Sequence, residues 1–573
     1  MSVVLSAHLP LLASAPDGIQ KLRGLILELA VRGKLVPQDP KDEPASELLR
    51  RITQERTRLE AEGACRKFQA EQVHADEQPF DAPDGWAWVR LTHFGEFRGG
   101  KTPSTNRSEY WDGTIPWVSP KDMKSLVVSK TEDYVSDLAV SDGLSVIPAS
   151  SVLVVVRSGI LRRTVPVAIN SQQCTVNQDL KALCLTLPDM AQYVQLLIMG
   201  FERLILETLT KVGTTVESIK FDEFAAQPFP LPPLAEQHRI VAKVDELMAL
   251  CDQLEAEQTD AEAAHARLVE TLLGTLTQSI DATELAANWQ RLAEHFDTLF
   301  TTESSLDALK QTILQLAVMG KLVPQDPDDE PASELLKRIA KERARLKAEG
   351  VCKKSTLLPA VGEDEQPFDA PSTWQWQRLD ELLAITGGVT LGRKLSGREL
   401  ISRPYLRVAN VQRGHLLLEH IKTIEIATDE LGKYRLQNSD LLITEGGDWD
   451  KVGRTAIWRN EIDECLHQNH VFRARPIVED WNCRWTEMYL NAKSARDYFA
   501  ASSKQTTNLA SINMTQLKAC PFPVPPLAEQ HRIVAKVDEL TALCDRLKAD
   551  LIESRNRQAR LSATLIESAL QTA

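Results

Sequence analysis

The stretch PPLAEQHRIVAKVDEL at Pro232–Leu247 recurs without change at Pro525–Leu540, 293 residues further along the chain. Its prolines, followed by apolar residues three and four positions apart, predict the start of a long amphipathic helix in each copy. A separation of nearly 300 residues is far longer than the repeat unit of a solenoid. The chain is therefore predicted to contain two copies of one half-molecule.

Two other segments repeat with nearly the same separation. GKLVPQDPKDEPASELL at Gly33–Leu49 returns at Gly320–Leu336 with one difference in seventeen positions, and DEQPFDAP at 76–83 returns at 364–371. The long stretches between the repeated segments do not match each other. We expect the nearly identical flanks to perform one task twice, and the two interiors to perform related but different tasks.

This pattern predicts a mixed α/β fold class. We expect two α/β variable domains separated by long shared helices that form an antiparallel coiled coil, with pseudo-two-fold symmetry from the internal duplication. The predicted domains are a helical region at 1–85, a variable domain at 86–230, a central helical region at 231–372, a second variable domain at 373–523 and a final helix at 524–573.

The shared segments outside the variable domains have helical periodicity. Residues 19 to 32 predict an amphipathic helix that Gly33 ends. A second helix is predicted from about Glu43 to Gly63, and the same pair is predicted again at about 306 to 350. Each PPLAEQ segment opens a helix of about 40 residues, which is roughly 60 Å long at 1.5 Å per residue.

The two long helices carry apolar residues at the alternating spacing of four and three that is typical of a coiled-coil seam. We expect the helices to pack on each other, although two independent bundles are the alternative. The predicted seam positions are Ile240, Val244, Leu247, Cys251, Leu254, Ala261, Leu268 and Leu272 in the first helix, and Ile533, Val537, Leu540, Cys544, Leu547, Leu551, Leu561 and Leu565 in the second. Cys65 matches Cys352 as Cys251 matches Cys544, and we expect all four to be packing residues.

The variable domains lose the helical pattern. VIPASSVLVVVR at 146–157, and LLIT, AIWR and VFRAR in the second domain, predict strands. GEFRGGKT at Gly95–Thr102 matches the formula of a nucleotide-phosphate loop, but Pro103 and a turn-rich stretch follow where such a loop requires a helix. The corresponding GGVTLGRKLSG at Gly387–Gly397 is rich in glycine and basic residues but lacks Gly-Lys-Thr. We therefore expect these loops to contact nucleic acid rather than to hydrolyse a nucleotide.

The charge of the whole chain argues against nucleic acid until it is divided by region. The 573 residues carry a net charge of -14, whereas binding to phosphates requires lysine and arginine. Residues 91 to 220 have 13 basic and 13 acidic side chains, and residues 377 to 520 have 20 basic and 18 acidic ones. The shared segments therefore hold a charge of -16, and the variable domains are close to neutral.

Several other classes of protein are disfavoured by the sequence. The nine cysteines include no C-x-x-C pair, which favours a reducing cytoplasm over a disulfide framework or zinc ribbon. Neither the tetrad of an adenine methyltransferase nor a metalloprotease or serine-hydrolase motif is present, and His470 is expected to be a hydrogen-bonding loop residue. The remaining alternatives are an adaptor that binds only protein and a stand-alone DNA-modifying enzyme.

The repeated motifs resemble those of the specificity (S) subunit of type I restriction-modification enzymes. LVPQDP..DEPASELL before a variable domain and PPLAEQHRIVAKVDEL after it carry the resemblance, which spans nearly the whole chain. Elements of two target-recognition domains are matched by the GGKTPS loop, IPWVSPKDMK (115–124) and TVNQDLKAL (175–183), and by PYLRVANVQ (404–412), DLLITEGGDWDKVGRTAIWR (440–459) and CLHQNHVFRAR (465–475).

The resemblance implies a subunit without catalytic activity of its own. Its two recognition domains would each read one half of a bipartite, asymmetric site in double-stranded DNA, while the helices set the spacer and dock two modification (M) subunits. S-adenosylmethionine would be bound by the M subunits, which methylate adenine, and ATP and Mg²⁺ by the restriction (R) subunits. The chain itself is expected to bind neither a cofactor nor a metal, and to have no contact with membranes.

Side chains that discriminate bases are usually Arg, Lys, Asn or Gln at a groove edge. In the first variable domain we predict DNA contacts from Lys101, Ser104, Asn106, Arg107, Tyr110, Lys121 and Lys124. In the second we predict them from Arg393, Lys394, Asn410, Gln412, Arg413, Lys451 and Arg454. Asp179 and Asn469 are expected to hold loops in shape instead.

Overall fold

The computed structural model describes residues 12–67, 71–211, 216–349, 358–447, 451–506 and 509–572. The chain divides into two compact units. Unit 1 comprises Met1–Ala261 with Ser554–Ala573, and unit 2 comprises Glu262–Glu553. Both units mix helices with sheets in the same order along the chain, which confirms the predicted duplication and fold class. No helix in the described ranges is long and apolar enough to cross a membrane.

Unit 1 begins with two helices and then alternates short strands with short helices. The helices up to the end of the first long helix are Gly18–Val31, Ala45–Ala61, Leu91–Phe94, Asp137–Ser141, Ala191–Gly200, Glu202–Thr208, Phe221–Ala226 and Leu234–Gln278. The strands are Ala87–Arg90, Gly95–Gly99, Ile115–Val118, Val127–Val128, Asp133–Val135, Val152–Val155, Val167–Asn170, Thr175–Val176, Leu180–Leu185, Thr210–Lys211, Ser218–Ile219 and Pro228–Leu231.

Unit 2 repeats this plan after two additional helices. Its helices are Ala282–Glu294, Phe296–Leu299, Glu303–Val318, Ala332–Ala348, Leu379–Leu382, Leu431–Tyr434, Cys483–Asn491, Lys493–Ser502 and Met514–Ala519, followed by the second long helix, Leu527–Thr572, which passes into unit 1 at Ser554. Its strands are Gln375–Arg378, Leu383–Thr386, Leu400–Leu406, Lys422–Ala427, Leu441–Thr444, Gly446–Gly447, Thr455–Ile457, Leu466–His467, Val471–Pro476, Lys504–Thr506, Leu509–Ser511 and Pro521–Val524.

The first four strands of the central sheet have the same order in both units, although the sequences differ, and unit 1 has a fifth strand. In unit 1 the order is Gly95–Gly99, Leu180–Leu185, Val152–Val155, Val167–Asn170 and Val127–Val128. In unit 2 it is Leu383–Thr386, Val471–Pro476, Leu441–Thr444 and Thr455–Ile457. Each unit also has a three-stranded flanking sheet with one antiparallel and one parallel pairing. The predicted strands LLIT, AIWR and VFRAR all fall on strands of the central sheet.

The predicted pair of shared helices is confirmed in both copies. Gly33 follows the first helix with a φ of 68°, a conformation that side chains with a Cβ rarely adopt. A Cβ at this position would lie 2.5 Å from the Pro83 ring, and the Trp86 ring also borders it. Gly320 stands in the same relation to Pro371. The glycine therefore both ends the helix and allows the DAP segment to pack on it.

The two long helices are longer than predicted, at 45 and 46 residues. The hydrophobic core of unit 1 contains Ile240 and Cys251 from the start of the first helix, with Leu565 and Leu570 from the end of the second packed against it. The core of unit 2 combines the opposite ends, such as Leu276 and Ile533. Each unit therefore draws on both helices, and Cys251 and Cys544 are buried packing residues as predicted. Cys65 is half-buried, and Cys352 lies outside the described residues.

The predicted continuous seam is wrong in the middle of the helices. Ala261, Leu268 and Leu561 are exposed. In the first helix, the stretch between Leu254 and Leu268 has no large apolar side chain to bury, so the heptad pattern stops there. Burial resumes one residue out of phase, at Val269, Leu273 and Leu276. A heptad extrapolated across a polar stretch does not predict this change of phase.

A two-stranded neck joins each variable domain to the shared segments. The incoming strand Ala87–Arg90 pairs antiparallel with the outgoing strand Pro228–Leu231 in unit 1, and Gln375–Arg378 pairs with Pro521–Val524 in unit 2. Arg90 donates to both carboxylate oxygens of Glu77, at 2.9 and 3.1 Å. Arg378 donates to Glu365 at 2.6 Å, and Glu77 and Glu365 are the glutamates of the two DEQPFDAP segments.

The other repeated motifs meet at the same neck. Glu236 of PPLAEQ accepts hydrogen bonds from Trp86 Nε1 at 3.0 Å and from Gln38 Nε2 at 3.1 Å. Arg239 forms a bidentate ion pair with Asp42, at 3.2 and 2.6 Å. These contacts, called the clamp here, join GKLVPQDP, DEP and PPLAEQHR to Trp86, and they explain why these distant segments repeat together.

Unit 2 reproduces this clamp atom for atom. Trp374 and Gln325 donate to Glu529 at 3.0 and 2.6 Å, and Arg532 forms a bidentate pair with Asp329. Glu236 and Glu529 are each 1% exposed. Burial raises the pKa of both carboxyl groups, and the hydrogen bonds from tryptophan and glutamine oppose that effect only in part.

Candidate nucleic-acid interface

The end of each central sheet farthest from the neck is called the distal edge here. In unit 1 the first strand of the sheet leaves the neck at Gly95 and reaches the distal edge at Gly99, where it pairs with Lys181. The antiparallel neighbours turn at the same edge, which is formed by loops 100–107, 156–166 and 177–179. In unit 2 the corresponding loops are 387–394, 445–454, of which the structure describes 445–447 and 451–454, and 468–470.

The glycine-rich loops have a common position and a common structural cause. A Cβ on Gly100 would lie 1.6 Å from the carbonyl oxygen of Val176, and a Cβ on Gly388 would lie 2.0 Å from that of His467. Only glycine lets the chain cross the neighbouring turn so closely. The next helical element after Thr102 is a short 3₁₀ turn at Ser108–Tyr110, so the helix required by a nucleotide-phosphate loop does not follow.

The first predicted residues of unit 1 lie on the loop that leaves the distal edge. Lys101, Ser104 and Asn106 are exposed. The Lys101 ammonium group donates to the Asp142 carbonyl oxygen at 3.3 Å. Arg107 is 46% exposed and donates from Nε to Glu109 at 2.9 Å. These four side chains are accessible to a ligand in this conformation.

Tyr110 is less suited to DNA contact than predicted. Its side chain belongs to a small buried cluster with Trp117 and Val135, and only 7% of the residue is exposed. The hydroxyl group donates to the Asp142 carboxylate, and the Arg107 guanidinium lies over the ring at 4.1 Å from its centre. Tyr110 therefore supports Arg107 rather than facing solvent.

Lys121 and Lys124 follow the strand Ile115–Val118. The chain leaves this strand near the distal edge, because the Asn177 amide donates to the Val118 carbonyl oxygen at 2.9 Å. Both lysines are exposed, and Lys124 lies 3.5 Å from Glu132. They add two exposed lysines to this loop region.

Several predicted residues of unit 2 come together. Arg454 Nη1 donates to Gln412 Oε1 at 2.6 Å, although the two residues are 42 positions apart. The turn that carries Arg413 is tied to the same place, since the Gly414 amide donates to the Thr455 carbonyl oxygen. Lys451 lies on the same loop as Arg454 and is half-buried. The structure thus joins two sequence segments into one polar surface at the distal edge.

Asn410 and Arg393 have structural partners instead. Asn410 is 3% exposed, accepts from the Arg407 amide and donates to the Leu417 carbonyl oxygen, so its amide group is used to shape the loop. Arg393 forms a bidentate ion pair with Glu430, at 3.1 and 2.9 Å. Its neighbour Lys394 is exposed.

The loop-shaping residues were predicted more accurately. Asp179 accepts hydrogen bonds from Arg157 Nε at 2.7 Å and from Asn177, and its backbone oxygen accepts from Val156. For Asn469, the contact is made by the backbone N–H, which donates to the Val389 carbonyl oxygen, so the predicted role of its side chain stays a prediction. His470 bonds to Glu445 at 2.7 Å on the surface, as expected of a loop histidine.

One histidine at this edge is fully buried. His467 is enclosed below the glycine loop of unit 2, and its Nδ1–H donates to the Val471 carbonyl oxygen at 2.7 Å. Burial lowers its pKa to about 3, against the opposing effect of that hydrogen bond. The ring is therefore neutral at physiological pH and fixes the turn at 468–470.

Three exposed arginines of unit 1, Arg157, Arg162 and Arg163, were not predicted. They lie on loop 156–166, which joins the third and fourth strands of the central sheet. Loop 445–454 joins the equivalent strands of unit 2, and it carries the predicted residues Lys451 and Arg454. The run RSGILRR between two strands was the available signal.

The two α/β domains share one fold and are attached by equivalent necks, but they present different polar residues at their distal edges. This arrangement is typical of a protein with two recognition domains. The profile described as Type I restriction modification DNA specificity domain matches residues 83–263 and 371–554. These ranges cover both variable domains completely and the first part of each long helix.

Two curated relatives are similar over nearly the whole chain. The specificity subunit of type I restriction enzyme EcoEI from Escherichia coli is 35% identical, covering 96% of this chain and 94% of that protein. The EcoAI specificity subunit from Escherichia coli is 36% identical with the same coverage of both chains. The crystal structure of the HsdS subunit from Thermoanaerobacter tengcongensis is 19% identical, with coverages of 86% and 98% and a TM-score of 0.38. The chain belongs to the family of type I restriction enzyme specificity subunits.

Proposed function

We propose that this chain selects the DNA target of a type I restriction-modification complex and has no catalytic activity itself. Each variable domain reads one half of a bipartite, asymmetric site in double-stranded DNA through its distal edge. The observation that carries the proposal is the contrast between two nearly identical necks and two different distal edges on the same sheet. The similar necks attach both domains in the same way, and the different distal edges allow each domain to recognise a different DNA sequence.

The proposed partners follow from this division. The long helices set the spacer between half-sites and dock two M subunits, and R subunits join the assembly for restriction. Leu250 and Leu543 occupy equivalent positions of the repeat and are 40% and 44% exposed. Leu268 and Leu561 are a second equivalent pair, 51% and 59% exposed. Two equivalent sets of exposed leucines on the helices support two docking sites for the same kind of partner.

The chemistry of the complex is proposed to lie in the partner subunits. S-adenosylmethionine binds the M subunits, which methylate adenine, and ATP and Mg²⁺ bind the R subunits. The variable domains are close to neutral, so tight DNA binding depends on basic surface from the M subunits. Because the substrate is cellular DNA, we place the working complex in the cytoplasm.

The direct test is to map methylated adenines in cells that express this chain with its M subunit. The expected result is methylation at one bipartite sequence with a fixed spacer. Cells that express the M subunit alone should lack that pattern. Methylation that ignores sequence, or that is unchanged without this chain, would contradict the proposal.

A second experiment tests the spacer function of the helices. Four residues inserted after Asp260, in the exposed middle of the first long helix, add about 6 Å along its axis. The selected spacer should then lengthen while both half-site sequences stay the same. Replacement of residues 259 to 262 without insertion is the matched control. An unchanged spacer in the insertion variant would contradict the proposal that the helix sets the distance between the half-sites.

A further inference from the structure

Arg157 and Arg162 lie on a firmly built turn of the distal edge in unit 1. The turn contains a 3₁₀ helix at Gly159–Arg162, and the Ser158 hydroxyl oxygen accepts from the Ile160 amide. Leu161 anchors the turn in the core and is 2% exposed. A turn held on both sides by the core and the sheet presents its exposed side chains from a fixed backbone.

Each of these arginines is held by an acidic side chain through the same atom. Arg157 Nε donates to Asp179 at 2.7 Å, and Arg162 Nε donates to Glu217 at 2.5 Å. The arginine side chains are 54% and 65% exposed, whereas the carboxylates are 20% and 7% exposed. Each guanidinium group is therefore held by a carboxylate on its buried side, while most of its surface faces solvent.

The tether leaves the outer part of each guanidinium group for a ligand. An arginine has five N–H donors in a rigid plane. Within the described residues, the guanidinium groups of Arg157 and Arg162 donate hydrogen bonds only through Nε. The two Nη groups match the paired acceptors O6 and N7 of guanine in the major groove. A fixed plane loses less freedom on binding than a mobile side chain does.

The arrangement around Glu217 is poorly explained by stability alone. Its second carboxylate oxygen is buried and has no hydrogen-bond partner among the described residues. The hydrogen bond from Arg162 lowers the pKa of Glu217, which keeps the carboxylate charged. Burial of a charged group with an unsatisfied oxygen lowers the stability of the fold. An ion pair with a largely exposed arginine adds too little stability to offset this loss.

We propose that Arg157 and Arg162 read guanine bases in the half-site of unit 1, with Asp179 and Glu217 as the residues that position them. This inference rests on the proposed function. Loop 445–454 of unit 2 has a different arrangement, because Arg454 is held through Nη1 by Gln412. The equivalent loops therefore present different donors, as two unlike half-sites require.

The test uses the complex of the full chain with its M subunits and S-adenosylmethionine, and a DNA library in which each half-site position is randomised. Arg162→Ala and Arg162→Lys should each lower the preference for guanine at one position of one half-site by about ten-fold. Arg162→Lys keeps the charge, so its loss isolates the planar fork. Glu217→Gln should give a smaller relaxation at the same position.

Arg203→Ala is the matched control. Arg203 is 89% exposed and also donates from Nε to a carboxylate, that of Glu207, but it lies on helix Glu202–Thr208 outside the distal edge. Its specificity profile should equal that of the wild-type complex. Melting temperatures of all variants verify that the exposed substitutions leave the fold intact.

The outcomes separate this inference from the proposed function. If the wild-type complex shows no sequence preference, the proposed function fails. If the wild-type complex is specific but Arg162→Ala and Arg162→Lys keep its profile, the inference is overturned. A loss of affinity that is equal for target and random DNA overturns it too, because that result is the signature of a phosphate contact.

Discussion

The necks and the distal edges of the two units differ in what the duplication has kept. At the necks, Glu236 and Glu529 receive the same two hydrogen bonds from tryptophan and glutamine. At the distal edges, Gly100 and Gly388 keep the same close crossing, but the side chains that follow are different. The shared residues thus attach each domain to the helices, and we propose that the residues that differ determine which DNA sequence each domain recognises.

One part of the neck also diverges. In unit 1, Arg56 Nη1 donates to the backbone carbonyl oxygen of Thr92 at 2.7 Å. In unit 2, the equivalent Arg343 donates to the Asp380 carboxylate at 2.8 Å, and Lys518 lies 3.1 Å from the same carboxylate. Equal backbone positions therefore carry an arginine–carbonyl contact in one copy and a three-residue ion cluster in the other.

The largest effect is expected from removing a neck tryptophan. Trp374 is 5% exposed, packs edge-on against Trp485 with ring centres 5.4 Å apart and donates to Glu529. Trp374→Ala should lower the free energy of unfolding of unit 2 by about 4 kcal/mol, because it leaves a cavity and removes one of the two hydrogen-bond donors of the buried Glu529 carboxylate. Trp86→Ala should lower the free energy of unfolding of unit 1 by less, because Trp86 is only half-buried.

Hydrogen exchange of the neck strands, followed during urea titration, measures the two units separately. Trp374→Phe retains most of the ring and loses only the donor, so it should cost about 1–3 kcal/mol. If Trp86→Ala lowers the free energy of unfolding as much as Trp374→Ala does, or more, the difference in burial between the two tryptophans does not determine the stability of the necks.

The necks illustrate what the sequence could predict. The shared helices, their glycine ends and the duplicated plan followed from periodicity and from identical motifs. The clamp itself could not be predicted, because Gln38, Trp86 and Glu236 are separated by up to 198 positions and meet only through the tertiary fold. Motif identity indicated that these residues share a task without indicating that they touch.

The distal edges show the opposite limit. Residue type correctly marked exposed cations such as Lys101 and Lys394, but it did not distinguish them from Tyr110 and Asn410, which are buried and hydrogen-bonded. Burial of a polar side chain depends on which loops cross it, and that depends on the sheet order. The anchored Arg162 was overlooked for the same reason, since its partner Glu217 is 55 positions away.

The intermediate effect concerns the ion cluster of unit 2. Asp380→Ala should lower the free energy of unfolding by about 2 kcal/mol at neutral pH, because it leaves Arg343 and Lys518 beside a buried surface without their carboxylate. Thr92→Ala in unit 1 is the matched control and should change it by less than about 0.5 kcal/mol, since the acceptor of Arg56 is a backbone oxygen.

The pH dependence of the same variant has a definite sign. Burial raises the pKa of Asp380, but the hydrogen bonds from Lys518 and Arg343 outweigh it and leave the pKa below its ordinary value of 3.8. The stabilisation is therefore complete above the unfolded pKa and is lost as pH falls through the folded pKa. Urea denaturation should show the gap between wild type and Asp380→Ala narrowing below about pH 4. A gap that widens in acid would refute the assignment of the cluster as a charged pair network.

The smallest effect should come from exposed lysines at the two distal edges, and it sharpens the comparison most. Lys394 is exposed on the glycine-rich loop, whereas the Lys101 ammonium group is already engaged with the Asp142 carbonyl oxygen. In the complex with M subunits, Lys394→Ala should weaken binding to target and random DNA by the same few-fold factor, and it should reduce the slope of log affinity against log salt by about one.

Lys101→Ala should reduce that slope by less, and Lys243→Ala, on the first long helix, should leave it unchanged. The measurement is a DNA titration at several salt concentrations with both sequences. If Lys394→Ala instead altered the preferred sequence, Lys394 would contact a base, and the proposed division between anchored arginines that read bases and exposed lysines that contact phosphates would fail. A uniform loss supports that division, because a mobile ammonium group gains Coulomb energy from any phosphate and distinguishes no base.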